Sequence, residues 1–150
     1  MKKYVSLLLL AVIFIVACGS EDEKIRAGRY GMMGEETPQY AAIMFMNAVY
    51  TEDTLDKAVK LSTERFGKVL SAYYTPKTVQ RQVFNLRLDE MEAEPVSGGA
   101  LLLSEAQDEA EIEVKIIGYY QNNKVTELKT LSMIKVKGNW KVAKVRNTVP

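Results

Sequence analysis

From Glu111 to Arg146 the chain reads EIEVKIIGYYQNNKVTELKTLSMIKVKGNWKVAKVR, with apolar and polar residues alternating in three runs separated by Asn122-Asn123 and Gly138-Asn139. Alternation of period two marks half-buried strands, and both dipeptides tolerate positive φ, so the stretch predicts an antiparallel three-strand meander. With those turns Tyr120 pairs with Val125, Ile117 with Leu128, Val114 with Leu131 and Ile112 with Met133. In the second hairpin Lys137 pairs with Trp140, Lys135 with Val142 and Met133 with Lys144. One face then carries Ile112, Val114, Ile116, Tyr120, Val125, Leu131, Met133, Trp140 and Val142, and is the expected core face. The other carries Ile117, Tyr119, Leu128, Ile134, Val136, Ala143 and Val145 among polar residues. A slip of one residue would exchange the two faces. The second face is too apolar for a purely solvated surface, which predicts a covering loop, edge segment or partner chain.

Upstream the period changes. Thr37-Pro38 is a capping hydroxyl followed by proline at the first helical position, where its missing N–H costs nothing, and a helix from Pro38 to Tyr50 is predicted. Its middle, AAIMFMNAV, is apolar almost all round and needs burial on more than one side. Thr51-Glu52-Asp53 ends it. Leu55, Ala58, Val59 and Ser62 then sit at helical spacing with Asp56, Lys57 and Lys60 outward. Phe66, Val69, Leu70 and Tyr73 predict a third helix from about Thr63 to Tyr73 despite Gly67. Thr75-Pro76 starts a fourth, through Val79 and Val83 to about Phe84. Leu86, Leu88 and Met91 predict a strand ended by Pro95 and Ser97-Gly98-Gly99, and Ala100 to Ser104 a short edge strand. The expected class is α+β: N-terminal helices packed on a curved antiparallel sheet that ends in the meander.

A chain of 150 residues, 47% apolar and 26% charged, is one ordinary domain with appendages. The formal charge of +1 includes Lys2 and Lys3, so beyond them acid and base nearly balance, and no nucleic-acid partner is expected. Histidine is absent, which removes Ser-His-Asp and Cys-His nucleophile systems and His-ligated metals.

Residues 1–17, MKKYVSLLLLAVIFIVA, pair a short cationic start with an apolar run shorter than the ~20 residues of a bilayer span. The run ends in Ile15-Val16-Ala17-Cys18-Gly19, which resembles the lipobox of bacterial lipoproteins, with the chain's single cysteine in the modified position. That resemblance implies cleavage between Ala17 and Cys18, a thioether-linked diacylglycerol on Cys18, and acylation of the new amino terminus. Together these give enough acyl chains for stable anchoring in a membrane. Gly19-Ser20 follows without aspartate. By resemblance to Gram-negative sorting, this implies the periplasmic face of the outer membrane; in a single-membrane bacterium the same residues imply the outside of the cell membrane. Residues 18–36 contain four glycines and no apolar period, and predict a flexible tether of roughly 25 Å ahead of a folded domain spanning residues 37–150.

Helices first, then a meander closing in Gly138-Asn139-Trp140-Lys141-Val142, resembles the cone-shaped α+β domains of the nuclear transport factor 2-like superfamily. The buried helix after Thr37-Pro38 and the segment Leu55-Asp56-Lys57-Ala58-Val59 carry the rest of the likeness, most closely to small uncharacterised bacterial lipoproteins of that group. The resemblance implies a conical pocket between sheet and helices. Its members include isomerases, dehydratases, small-molecule binders and partner-binding modules, so fold leaves function open.

No motif requires a cofactor or a metal. The carboxylates Asp89, Glu90, Glu92 and Glu94, and Glu105, Asp108, Glu109, Glu111 and Glu113, lack calcium-loop spacing and read as a solvated loop and strand edge. An isomerase-like site would need a carboxylate facing a tyrosine in an apolar pocket; Asp89 with Tyr50, Tyr73 or Tyr120 is the enzyme alternative. Lys135, Lys137, Lys141, Lys144 and Arg146 gather at the last hairpin, either as a charged edge that deters strand pairing or as a contact for anionic headgroups. The reading favoured by these residues is a non-catalytic, lipid-anchored binding module for a small apolar ligand or an envelope protein. Met44, Tyr50, Tyr73 and Met133 are the expected pocket lining. A homodimer through the second sheet face and a structural envelope role are the remaining alternatives.

Overall fold

Three threonines start three helices. The Thr37 hydroxyl accepts from the Tyr40 amide at 3.3 Å, Thr63 from Phe66 at 3.4 Å and Thr75 from Thr78 at 3.2 Å, each satisfying an amide that has no partner inside its helix. A computed structural model describes residue 34 and residues 36–96, 101–102 and 108–148, all within one compact unit, Met33–Pro150. The signal segment, Ala17, Cys18 and nearly all of the tether lie outside the described residues. The elements are α1 (Pro38–Thr51), α2 (Asp56–Lys60), α3 (Glu64–Ser71), α4 (Pro76–Gln82), β1 (Glu90–Pro95), β2 (Leu101–Leu102), β3 (Glu109–Tyr120), β4 (Asn123–Val136) and β5 (Asn139–Asn147). Among the described residues the class is α+β, with four helices and an antiparallel sheet ordered β1-β3-β4-β5; β2 pairs the same edge of β3 further along. No described helix is long and apolar enough to cross a membrane.

α1 meets the expectation of burial on several sides. Ala42, Ile43, Phe45, Met46, Ala48 and Val49 are all buried, because the helix lies against β1, β3 and β5 on one side and α2 and α4 on others. Each large apolar side chain so buried contributes about 1.5–3 kcal/mol before the entropy of ordering is charged against it. Phe45 sits between Phe66 and Phe84, with centroids 6.0 and 6.1 Å away. α2 is shorter than its apolar spacing predicts, because the chain leaves the helix at Leu61 to bond with β5: Val142 N–H donates to Leu61 O at 2.9 Å and Thr63 N–H to Val142 O at 2.9 Å. That bridge covers part of the exposed β5 edge. In α3 the buried positions are Phe66, Gly67 and Leu70, whereas Val69 is 44% exposed. A Cβ on Gly67 would approach Val59 to 3.2 Å, so the helix turns its glycine inward and leaves Val69 outside.

Both hairpin turns fall one residue earlier than the sequence predicts. The loop residues are Gln121-Asn122, at φ 49° and 65°, and Lys137-Gly138, at φ 50° and 83°, so each turn has two consecutive left-handed positions with Asn or Gly second. The following asparagines close the loops in the same way: Asn123 Nδ2 donates to Gln121 O and Asn139 Nδ2 to Lys137 O, both at 3.2 Å. The register therefore moves by two residues, with Ile112 opposite Leu131, Val114 opposite Lys129 and Tyr120 opposite Asn123. Lys135 pairs with Trp140 and Met133 with Val142. A two-residue shift preserves the faces. Ile112, Val114, Ile116, Leu131, Met133, Trp140 and Val142 are buried as expected, while Tyr120 and Val125, at the hairpin end, are half-buried. Beyond Val142 a bulge between Ser132 and Met133 leaves Ala143 without a cross-strand partner and sets Val145 opposite Leu131. Val145 thus belongs to the inner face, because one inserted residue inverts the alternation beyond it.

Gly118 marks the closest approach in the sheet. A Cβ there would lie 2.3 Å from Glu90 O and 2.7 Å from Leu88 Cδ1, so only glycine lets Leu88 lie flat on β3.

Candidate functional site

The two ends of α1 have different surroundings. Near its start, Tyr40, Ala41 and Met44 form one wall of a groove of about 540 Å³, within the size range of small-molecule sites. α2 contributes Lys57 and its end Leu61; the β4–β5 hairpin contributes Lys135, Gly138, Asn139, Trp140 and Lys141; Glu36 completes the lining. Local sequence explains the arrangement. Positions i and i+4 of α1 stack on one helix face, and the tight turn at Lys137-Gly138 brings Lys135 and Trp140 into direct opposition. Trp140 is only 8% exposed, and the Lys135 ammonium stands 5.7 Å from its ring centroid, a cation–π distance. Lys141 Nζ donates to the Lys60 carbonyl, and Lys57 Nζ lies 3.2 Å from Glu52 Oε1. An apolar and aromatic floor under three ammonium groups and one carboxylate can hold an apolar body and neutralise a negative charge.

The other end of α1 is closed. The Tyr50 hydroxyl donates to Leu86 O at 2.7 Å, and its ring meets Phe84 edge-on, 5.9 Å between centroids. Burial first, and the nearby Glu127 carboxylate second, push the Tyr50 phenol well above the usual tyrosine range. Beside it Lys129, 1% exposed, gives its three ammonium protons to Phe84 O at 2.9 Å, Glu127 Oε2 at 2.6 Å and Asn147 Oδ1 at 2.6 Å. Gln80 Nε2 donates to Val49 O at 3.0 Å, capping a carbonyl near the helix end. Every donor of Lys129 is committed. The cluster ties β4, the end of β5 and the chain after α4 into one knot, and no buried side-chain nitrogen or oxygen among the described residues lacks a partner.

Of the four residues predicted to line a pocket, Met44 is on the groove wall. Met133 is buried beneath the sheet, Tyr50 belongs to the closed end, and Tyr73 is half-buried just past α3. Asp89 is exposed, and its carboxylate accepts from the Gln121 amide at 3.1 Å, so it braces the first hairpin turn. Of the acidic clusters, Glu94 pairs with Lys115 at 2.8 Å and Glu111 with Arg146 across the outer face. Among the described residues no group of three or more His, Cys, Asp or Glu side chains is placed to hold a metal ion. The hairpin lysines divide: Lys135 and Lys141 reach the groove, Lys137 lies in the turn and Lys144 is exposed.

Lys129 and Glu127 escaped the reading of the sequence, although a signal for them exists. The alternation that turns Leu131 and Met133 inward also turns residues 127 and 129 inward, and an opposite-charge pair two apart on a core face indicates an ion pair whose lysine is buried and whose glutamate reaches the surface. The groove itself joins α1, α2 and a hairpin distant in the chain, a juxtaposition no single periodicity reveals.

No family model matches the chain, and no curated protein matches it. Its fold is similar to the solution structure of a SEC-C motif-containing protein from Rhodopseudomonas palustris, with a TM-score of 0.54 and 11% sequence identity over 78% of this chain and 83% of that one. At that identity the likeness concerns the fold alone.

Proposed function

We propose that this chain is a lipid-anchored protein of the bacterial cell envelope whose folded unit, a nuclear transport factor 2-like cone, binds a ligand rather than transforming one. The lipobox at Ile15–Cys18 supports the anchor, and Gly19-Ser20 after it supports the periplasmic face of an outer membrane, or the outside of a single membrane. A nearly all-apolar first helix lying on an antiparallel sheet that ends in a meander supports the cone. The observation that carries the binding role is the groove of about 540 Å³ beside Trp140, where apolar walls meet three lysines. Two experiments test this reading. Metabolic labelling with an acyl-chain probe tags the wild type and spares Cys18→Ser; equal labelling of both contradicts the anchor. Trp140 is the chain's single tryptophan, so its emission reports the groove directly: an apolar ligand shifts or quenches it, and indifference to every apolar probe contradicts the binding role.

A second reading, association of two copies through the outer sheet face, is favoured by Tyr119, Leu128, Ile134 and Val136, all 36–44% exposed. Sedimentation of the wild type against Leu128→Lys tests it, with a concentration-dependent dimer expected only in the former.

A further inference from the structure

We infer that the groove ligand is an amphiphilic anion: an apolar or aromatic body lying on Tyr40, Met44, Leu61 and Trp140, with an acidic head held between Lys135 and Lys141. This rests on the binding reading above and adds the ligand's chemical class. Charge carries the argument. Among the described residues the lining holds three lysines against one glutamate, Glu36, and the charge of Lys57 is already opposed by Glu52 at 3.2 Å. Lys135 and Lys141 flank Trp140, and neither makes an ion pair among the described residues; one stands over the indole ring and the other rests on a backbone carbonyl. Both ammonium groups keep donors for a ligand. A neutral apolar ligand would leave this positive charge at the groove rim unanswered, and a cationic one would be repelled. The acidic head could be that of a free amphiphile or that of a lipid in the anchoring bilayer, and the two sources share the chemistry that the groove reads.

The test uses the full lipidated chain in nanodiscs of zwitterionic phosphatidylcholine, with empty nanodiscs as blank. Two probes of nearly one scaffold are titrated against Trp140 emission by energy transfer: anilinonaphthalene sulfonate, which is anionic, and phenylnaphthylamine, which lacks the sulfonate. Both are expected to bind. Replacing both lysines, Lys135→Gln with Lys141→Gln, is expected to weaken the sulfonate about tenfold, the loss of two charge-assisted contacts at a half-open rim, and to leave the neutral probe within about twofold. Lys135→Arg with Lys141→Arg keeps the charge and is expected to retain sulfonate binding, which separates loss of charge from loss of fold. Equal weakening of both probes, or of neither, overturns the inference. Wild-type binding of the neutral probe alone overturns the inference and leaves the binding role standing; binding of neither probe overturns both. Displacement of the sulfonate by added octanoate assigns the head to a free amphiphile, and displacement on replacing part of the phosphatidylcholine with phosphatidylglycerol assigns it to the bilayer. Displacement by neither overturns the ligand class.

Discussion

One helix, two ends: α1 begins beside an open groove with ammonium groups at its rim and finishes against a knot in which a buried lysine has spent every proton. The same residue type behaves differently for a physical reason. Lys129 is removed from water, so its charge is tolerable only with all three acceptors in place, and taking one away would strand the others. Lys135 and Lys141 keep their heads near solvent, where exchanging one partner for another changes little. A buried, fully bonded cation fixes structure, whereas a rim cation over an aromatic floor is available for recognition. Substitutions at the closed end should therefore alter stability and spare binding, and substitutions at the open end should do the reverse.

The largest effect is expected from Lys129→Ala. It leaves the Phe84 carbonyl and the Asn147 amide oxygen without their donor and opens a void beside Phe84, at a cost of about 4 kcal/mol, read by urea unfolding. A cost below about 1 kcal/mol would show that water enters freely and that the end is not closed. Gly118→Val comes next, at roughly 3 kcal/mol, since its Cβ would collide with the Glu90 carbonyl and Leu88; a variant as stable as the wild type would mean that β1 does not sit against β3 as described. Tyr50→Phe should cost about 1 kcal/mol, one hydrogen bond to Leu86 O. It also has a pH signature. The folded state holds the Tyr50 proton more tightly than the unfolded chain does, so that stabilisation is complete below the unfolded value of about 10 and falls as pH rises through it. Denaturation midpoints measured from neutral to strongly alkaline pH should therefore decline more steeply for the wild type than for Tyr50→Phe, and parallel curves would remove Tyr50 from the closed end. The smallest stability change is expected for Met44→Glu, under about 1 kcal/mol for a half-buried side chain beside open space, although it places a carboxylate on the groove wall.

The sequence already carried most of the frame. Threonine caps before proline marked two helix starts to the residue, Pro38 and Pro76, since a hydroxyl in that place has few other uses, and an apolar repeat placed a third near Thr63. The faces of β3 and β4 followed from alternation even though both turns were misplaced by one residue, because the resulting two-residue shift keeps parity. What alternation cannot foresee is a bulge: Val145 moved to the inner face through a single inserted residue at Ala143. The candidate site was less legible. Met44 could be named from the helix pattern, but the groove depends on how α2 and the second hairpin meet α1, which tertiary packing decides. Lys129 was hidden by the expectation that lysine lies at the surface, an expectation its three acceptors override.

The most direct test of a binding end opposed to a structural end is native mass spectrometry of the chain purified without denaturation, comparing wild type, Met44→Glu and Tyr50→Phe. The predicted result is a non-covalent small-molecule adduct on the wild type, retained by the less stable Tyr50→Phe and missing from the stably folded Met44→Glu. An adduct that survives Met44→Glu but disappears with Tyr50→Phe, or a wild type that carries none, would contradict the assignment.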